Sequence, residues 1–344
     1  MSDDIPTDLP SRDYVNSLLA QYTEGPDRRN AEQLLNAAID LVRQHPDRLN
    51  MKIAASALAE MGDAFAMFAH ATDRPKVAIF GSARTTENDP LYAAAREVAR
   101  LMAEQGWMVI TGAGPGIMQA GMEGAGRENS IGVSIRLPFE QSANPIIAGD
   151  EKYVSMKYFF TRKLMLIKES KGFVCLPGGF GTMDETFELL TLTQTGKGVP
   201  TPIVFLDVPG DRYWPTVDEF VHDQLVQRGL VAAADRKLYL ITDDPAVAAR
   251  EIIGFYRNYD SLRYVGDALI IRLRNRPTVE QLHTLNERFG HLCKSGDIHA
   301  SEPFGPERKD NDRLDLPRIS FVYTKHGYGD LRGLIDLCNS FVDG

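Results

Sequence analysis

Cysteine is scarce in this sequence, with three residues in a chain of 344. Cys175, Cys293 and Cys338 are odd in number, widely spaced and set among apolar residues, which argues against a disulfide framework or a zinc site and favours buried thiols. Long apolar runs are missing as well, since none approaches the roughly 20 residues that cross a membrane. Residues 1–6 are acidic and lack the apolar core of a signal peptide. These absences predict a cytoplasmic protein with no membrane partner.

Positive charge is in deficit, because the chain carries 38 lysines and arginines against 47 acidic residues and a formal net charge of −9. A surface of this sign repels the phosphates of nucleic acids, so we expect no nucleic-acid partner. The deficit does not exclude a small anionic ligand, because glycine-rich turns bind phosphate through backbone N–H groups.

The most informative stretch is residues 176–185, Leu-Pro-Gly-Gly-Phe-Gly-Thr-Met-Asp-Glu. An apolar run at 172–176 precedes it and predicts a buried strand, and residues with helical spacing of apolar side chains follow it. Strand, glycine turn and helix start therefore fall within a short segment. In an open α/β sheet such a turn lies at the carboxyl ends of the strands, where ligands bind.

The residues of this turn favour a bound phosphate. Gly178, Gly179 and Gly181 have no Cβ atom, so the backbone approaches a ligand closely and adopts positive φ easily. The N–H groups and dipole of the following helix attract an anion. Thr182 either caps that helix or adds a hydroxyl to the phosphate. Glu185 has two interpretations, a favourable interaction with the helix N-terminus and a role in chemistry, and this stretch alone does not separate them.

The rest of the chain predicts an α/β fold in three parts. Residues 1–72 read as three helices that pack against the main domain or a second subunit. Residues 73–260 alternate strands and helices, which indicates a Rossmann-like, doubly wound parallel sheet. Residues 261–344 form a small appended C-terminal α/β module with strands at 268–273 and 318–323. The strands predicted in the central domain are at 75–80, 107–110, 131–135, 172–176, 202–206 and 238–241.

Two further strand ends in the central domain carry small residues. Gly81 and Ser82 follow its first strand, and Gly112, Gly114 and Gly116 follow its second. Carboxyl ends of parallel strands share one edge of a sheet, so these turns and residues 177–182 are predicted to converge on one crevice. The loop at 137–145 is long enough to border the ligand.

An arginine and a lysine interrupt the mostly apolar helix predicted at 158–167. Arg162 and Lys163 either extend their charged ends to solvent or point together at a phosphate or carboxylate. Both interpretations are compatible with the pattern of the helix alone.

Taken in order, Gly81-Ser82-Ala83-Arg84, the 112–116 loop, Arg162-Lys163 and residues 177–185 resemble the Lonely Guy family. Its members are phosphoribohydrolases that cleave the base from nucleoside 5′-monophosphates, and the similarity spans roughly residues 77–206. The resemblance implies that Arg162 and Glu185 are catalytic. It also implies a homodimer or higher homo-oligomer. The sequence offers no metal-binding cluster of His, Asp and Glu, and hydrolysis needs no redox cofactor, so we expect neither a metal nor a cofactor. The residues implied to bind the substrate or its phosphate are Gly81, Ser82, Gly112, Gly114, Gly116, Lys163, Pro177, Gly178, Gly179, Gly181 and Thr182.

The sequence departs from the family at three places. Phe180 stands where many members have tyrosine, Asp184-Glu185 replaces two glutamates, and Phe159 replaces a methionine near the adenine. The expected substrate is AMP or a cytokinin riboside monophosphate, but these departures leave the preferred base open. Members are often labelled lysine decarboxylases, yet no lysine here has a recognisable pyridoxal phosphate context, so we reject that activity. A nucleotide-binding regulator without turnover and a carrier of another phosphorylated cofactor remain as alternatives.

Overall fold

The computed structural model describes residues 12–20, 26–71, 73–136 and 143–342. The chain divides into two compact units, Met1–Gly62 and Asp63–Gly344, with the boundary inside the third helix. The first unit holds α1 (Arg12–Leu19), α2 (Pro26–Arg43) and most of α3 (Arg48–Ala69), as the helical periodicity predicts. Within the described ranges, every helix is too short or too polar to span a bilayer.

The second unit begins with seven parallel strands alternating with helices. The sheet order is β4-β3-β2-β1-β5-β6-β7, which confirms the predicted doubly wound fold. The elements in chain order are β1 (Lys76–Phe80), α4 (Pro90–Glu104), β2 (Met108–Thr111), α5 (Ile117–Ala125), β3 (Ser130–Ile135), β4 (Tyr153–Met156), α6 (Phe159–Lys168), β5 (Gly172–Cys175), α7 (Phe180–Gln194), β6 (Ile203–Leu206), α8 (Tyr213–Phe220), β7 (Tyr239–Thr242) and α9 (Pro245–Gly254).

Side chains on alternate strand positions bury the two faces of this sheet. Val204 and Leu206 of β6 join the core formed with α4, α5 and α9. Phe205 between them points to the opposite face, where it stacks on Trp214 of α8 with ring centroids 4.2 Å apart. Because both faces are covered, the strands read as continuous apolar runs, and the sequence could reveal them for that reason.

A second sheet of four strands follows, in the antiparallel order β10-β11-β9-β8. The two strands predicted in this region are present, and two further strands, β8 and β10, were missed. β8 and β10 lie at the two edges and carry alternating polar residues without an apolar run. The elements are β8 (Tyr259–Val265), β9 (Ala268–Leu273), α10 (Val279–Phe289), β10 (Cys293–Ala300), α11 (Gly305–Asp310), β11 (Arg318–Tyr323) and α12 (Tyr328–Ser340).

The predicted boundaries of the three parts fall at different kinds of places. The boundary after residue 72 lies between α3 and β1, and the one after residue 260 lies inside β8. Both boundaries stay predictions. For function the important feature is the strand order, which reverses direction between β1 and β5. A crevice for a ligand opens at such a switch point.

Candidate active site

Main-chain hydrogen bonds join three turns at the switch point. The Ser82 N–H donates to the Pro177 carbonyl at 3.2 Å, and the Ile117 N–H donates to the Ser82 carbonyl at 3.0 Å. Gly116 has φ of +67°, and a Cβ atom there would lie 2.4 Å from the Ser82 oxygen. Only glycine fits such a conformation at such a distance. The turns after β1, β2 and β5 are therefore fixed to one another by backbone, as their predicted convergence requires.

A cavity of about 920 Å³ opens above these turns. Most residues predicted to bind substrate line it, whereas Gly116, Pro177 and Lys163 are not among its lining residues. Gly116 and Pro177 contribute instead to the backbone contacts below it. The predicted site residues that line the cavity are Gly81, Ser82, Gly112, Gly114, Arg162, Gly178, Gly179, Gly181, Thr182 and Glu185.

The start of α7 presents backbone amides at the cavity wall. Gly179 is the N-cap residue, and the Met183 N–H makes the first helical bond to the Gly179 carbonyl at 3.1 Å. The amides that precede Met183 in the first turn have no partner within the helix. A Cβ atom at Gly179 or Gly181 would have no neighbour within 4 Å, so space is open next to these amides. This geometry suits a phosphate.

Two details of the predicted turn were wrong. Gly178, Gly179 and Gly181 do not have positive φ; Gly179 is extended at φ −86°, and Gly181 already belongs to α7. Thr182 is not the helix cap, because it lies in the first turn of α7, three positions after Gly179. The open space at this turn comes from missing Cβ atoms and not from left-handed backbone.

Glu185 is a buried carboxylate at the edge of the cavity, with a side chain 7% exposed. Its Oε1 atom lies 3.7 Å from Arg162 Nη1, too far for a hydrogen bond, and has no hydrogen-bond partner among the described residues. Burial raises the pKa of Glu185 above its usual range, and Arg162 and Lys163 offset only part of that rise. Burial therefore outweighs these two cations in the net direction of the shift.

Arg162 reaches the cavity from α6 across the end of β3. Its Nε donates to the Val133 carbonyl at 3.2 Å, and its side chain is 12% exposed. A Cβ atom at Gly112 would lie 2.7 Å from Arg162 Nη2. Gly112 therefore makes room for the guanidinium beside Glu185. The structure thus brings Arg162 and Glu185 together, as the sequence predicted.

Lys163, next to Arg162, points to different partners. Its ammonium lies 2.6 Å from Asp184 Oδ2 and 2.7 Å from Glu188 Oε2, both on α7. These two ion pairs tie α6 to α7 at the level of Arg162 and Glu185. The predicted contact of Lys163 with phosphate stays a prediction. In the structure this lysine links the two helices.

Several residues that the sequence analysis did not select also line the cavity. Arg136 directly follows β3 and donates from Nη2 to the Ser155 carbonyl at 3.0 Å. On the neighbouring strand, the Tyr153 hydroxyl lies 2.8 Å from Ser134 Oγ. Arg84 and Arg136 each follow the end of a predicted strand, which is a signal that could have identified them. Tyr153 lies on β4, an edge strand that the periodicity did not reveal.

The loop predicted to border the ligand is described only from residue 143 onward; residues 137–142 lie outside the described ranges. Ala143 lines the cavity. The next residue, Asn144, donates from Nδ2 to the Gly114 carbonyl at 3.1 Å and from its backbone to the Ala113 carbonyl at 2.8 Å. The end of this loop is therefore attached to the turn after β2.

Comparison with known proteins gives a consistent family relationship. A family model described as "Possible lysine decarboxylase" matches residues 116–252. The chain is 27% identical over 174 residues to a probable cytokinin riboside 5′-monophosphate phosphoribohydrolase of Oryza sativa subsp. japonica, covering 49% of this chain and 72% of that protein. A second such protein, from Arabidopsis thaliana, is 31% identical over 137 residues, covering 40% of this chain and 63% of that protein.

A third relative matches this chain over less than half of its own length. A pyrimidine/purine nucleotide 5′-monophosphate nucleosidase of Escherichia coli (strain K12) is 27% identical over 195 residues, which is 53% of this chain but only 41% of that protein. Among solved structures, a molybdenum cofactor carrier protein from Chlamydomonas reinhardtii is similar with a TM-score of 0.36 and 21% identity, covering 52% of this chain and 98% of that one.

Proposed function

We propose that this chain acts like the Lonely Guy phosphoribohydrolases that it resembles. It would hydrolyse the N-glycosidic bond of a nucleoside 5′-monophosphate, giving free base and ribose 5-phosphate. The observation that carries the proposal is Glu185, a buried carboxylate at a cavity wall whose Oε1 atom accepts no hydrogen bond from the described residues. Residues of the first turn of α7 line the same cavity, so backbone amides that suit an anion lie beside this carboxylate. Two relatives are named for activities of this kind.

In the proposed reaction the phosphate binds at the α7 amides and fixes the ribose over Glu185. Binding a remote group in this way positions the reacting bond. As the bond from C1′ to the base breaks, positive charge develops on the sugar, and an ionised Glu185 stabilises it. Water adds to C1′, its proton leaves through Glu185 or solvent, and the base departs protonated. Glu185 acts either as this electrostatic partner or as the general base that orients the water.

In this scheme Arg162 keeps Glu185 ionised. Its guanidinium stays charged at every working pH and lowers the pKa of the neighbouring carboxyl. Because burial raises the pKa of Glu185, the ionised form that the reaction needs depends on Arg162. The reaction should therefore lose rate as the pH falls through a pKa above the usual value for glutamate.

The direct test is incubation of the purified protein with AMP, CMP, GMP, UMP and a cytokinin riboside monophosphate. We expect equal amounts of ribose 5-phosphate and free base from at least one of them. Tight binding of these nucleotides without release of ribose 5-phosphate would contradict the enzyme proposal and favour a nucleotide-binding regulator. The same assay gives the preferred base.

We also propose that the chain forms a homodimer through α6. Phe160 and Leu164 on this helix are 56% and 47% exposed, a large apolar surface for a helix next to a ligand site. Light scattering at micromolar concentration should give at least twice the mass of one chain. Leu164→Asp should shift the protein toward the monomer, whereas Leu230→Asp, at a 61% exposed leucine away from α6, should not. A monomeric wild-type protein would contradict this proposal.

A further inference from the structure

The turn before α7 receives a hydrogen bond from outside the cavity. The hydroxyl of Tyr213, the first residue of α8, donates to the Gly178 carbonyl at 2.7 Å. The same hydroxyl lies 3.1 Å from Met183 Sδ. Tyr213 is not among the residues that line the cavity, so it contacts the predicted phosphate turn from behind.

The geometry of a peptide unit transmits this contact to the cavity. The described residues contain no cis peptide bond, and in a trans peptide the C=O and the following N–H point in opposite directions. A Gly178 carbonyl directed at Tyr213 therefore directs the Gly179 N–H away from Tyr213. Gly179 lines the cavity, and a Cβ atom there would meet nothing within 4 Å. The cavity side of Gly179 is therefore open to a ligand.

Without a fixed partner this peptide unit would rotate easily. It lies between two glycines, which have access to the widest range of φ and ψ. Rotation would replace the Gly179 N–H at the cavity wall by the Gly178 carbonyl oxygen, which repels a phosphate. The hydrogen bond from Tyr213 opposes that rotation.

Tyr213 is itself held firmly. The buried Asp207 carboxylate accepts a hydrogen bond from the Trp214 N–H at 3.0 Å, which fixes the start of α8. Trp214 is fully buried and stacks on Phe205. Burial also raises the pKa of Tyr213 above its usual value, so the hydroxyl keeps its proton and remains a donor.

We infer that Tyr213 is a positioning residue, which orients the Gly178–Gly179 peptide so that the Gly179 N–H binds the phosphate of the substrate. The inference rests on the proposed function for the identity of the anion. Tyr213, which follows β6 and lies outside the glycine motif, would thus contribute to phosphate recognition.

Tyr213→Phe removes the hydroxyl and keeps the ring, and Tyr256→Phe is a matched control. The Tyr256 hydroxyl also donates to a backbone carbonyl, that of Lys171 at 2.8 Å, at the opposite end of β5. We expect Tyr213→Phe to weaken binding of inorganic phosphate and ribose 5-phosphate about tenfold, the typical effect of one hydrogen bond to a charged group. The larger part of the kinetic change should be in KM, and Tyr256→Phe should match wild type. Calorimetry and steady-state kinetics provide these values.

The amide resonance of Gly179 gives an independent readout. In protein labelled with ¹⁵N-glycine, this resonance should shift on addition of inorganic phosphate in the wild type and in Tyr256→Phe, and much less in Tyr213→Phe. Equal phosphate affinity and equal shifts in Tyr213→Phe and wild type would overturn the inference. A loss of kcat and melting temperature with unchanged phosphate affinity would also overturn it, because it would show a structural role only. A wild-type protein that binds no phosphate would instead remove the anion site on which the proposed function rests.

Discussion

Glu185→Gln should lower the turnover of a nucleoside 5′-monophosphate by roughly 100-fold or more, which is about 3 kcal/mol of transition-state stabilisation. The amide keeps the shape of the side chain and removes the negative charge that stabilises the positive charge developing at C1′. Ground-state binding should survive or tighten, because a carboxylate near a bound phosphate is repulsive. Single-turnover kinetics and calorimetry separate the two effects. Glu169→Gln, outside the cavity on the C-terminal end of α6, is the matched control and should keep full activity.

The same substitution should also affect stability, with a sign that follows from the raised pKa. When folding raises the pKa of a carboxyl, the folded protein loses stability as the pH rises from the unfolded-state pKa to the folded-state pKa. Above the raised pKa, Glu185→Gln should therefore unfold at a higher temperature than wild type. The difference should disappear as the pH falls toward about 4.3, the usual glutamate value. Normal turnover of the Glu185→Gln protein would contradict the proposed catalytic role of Glu185.

Arg162→Ala should damage both turnover and affinity, with a loss in turnover of roughly 100- to 1,000-fold. It removes a cation at the cavity wall and leaves the buried Glu185 without its nearest positive charge. The pKa of Glu185 should rise further, so the acid limb of the pH–rate profile should move to higher pH. Arg162→Lys should recover only part of the rate, because a lysine keeps the charge without the planar fork of donors. Lys168→Ala, on the exposed part of the same helix, should leave the profile unchanged.

Arg162 and Glu185 form one unit, so their effects should not add. The loss in the double variant should be smaller than the combined losses of Glu185→Gln and Arg162→Ala. Additive losses would mean that the two residues act independently, and the proposed dependence of Glu185 on Arg162 would then be wrong. An Arg162→Ala profile with an unmoved acid limb would lead to the same conclusion.

The sequence predicts the central sheet well because its strands are buried on both faces. Runs such as Ile203–Leu206 consist of apolar residues throughout, so periodicity and length identify them. Edge strands lack this signal. β4 (Tyr153–Met156) buries only alternate residues, and β10 (Cys293–Ala300) is mostly exposed and has irregular pairing with β11. Their strand character depends on a neighbouring strand, which a local pattern does not contain.

The candidate site divides in a similar way. Glycine turns at strand ends are local signals, and their meeting at one edge follows from the parallel sheet. The net rise in the pKa of Glu185 depends on burial by residues distant in the chain, which a local sequence pattern does not contain. The ion pairs of Lys163 with Asp184 and Glu188, and the contact of Tyr213 with Gly178, likewise need the packing of α6, α7 and α8.

The backbone bonds that join the three turns have a consequence for how this site changes during evolution. Ser82, Pro177 and Ile117 contribute only main-chain atoms to those bonds, so the bonds themselves do not depend on the identity of these side chains. Phe159 and Tyr153 line the cavity and take no part in these bonds. Under the proposed function, single substitutions at these two positions should change the base preference and leave the joined turns intact. Directed evolution of new nucleotide preferences should accordingly find its gains at these positions and its losses at Gly112 and Gly116.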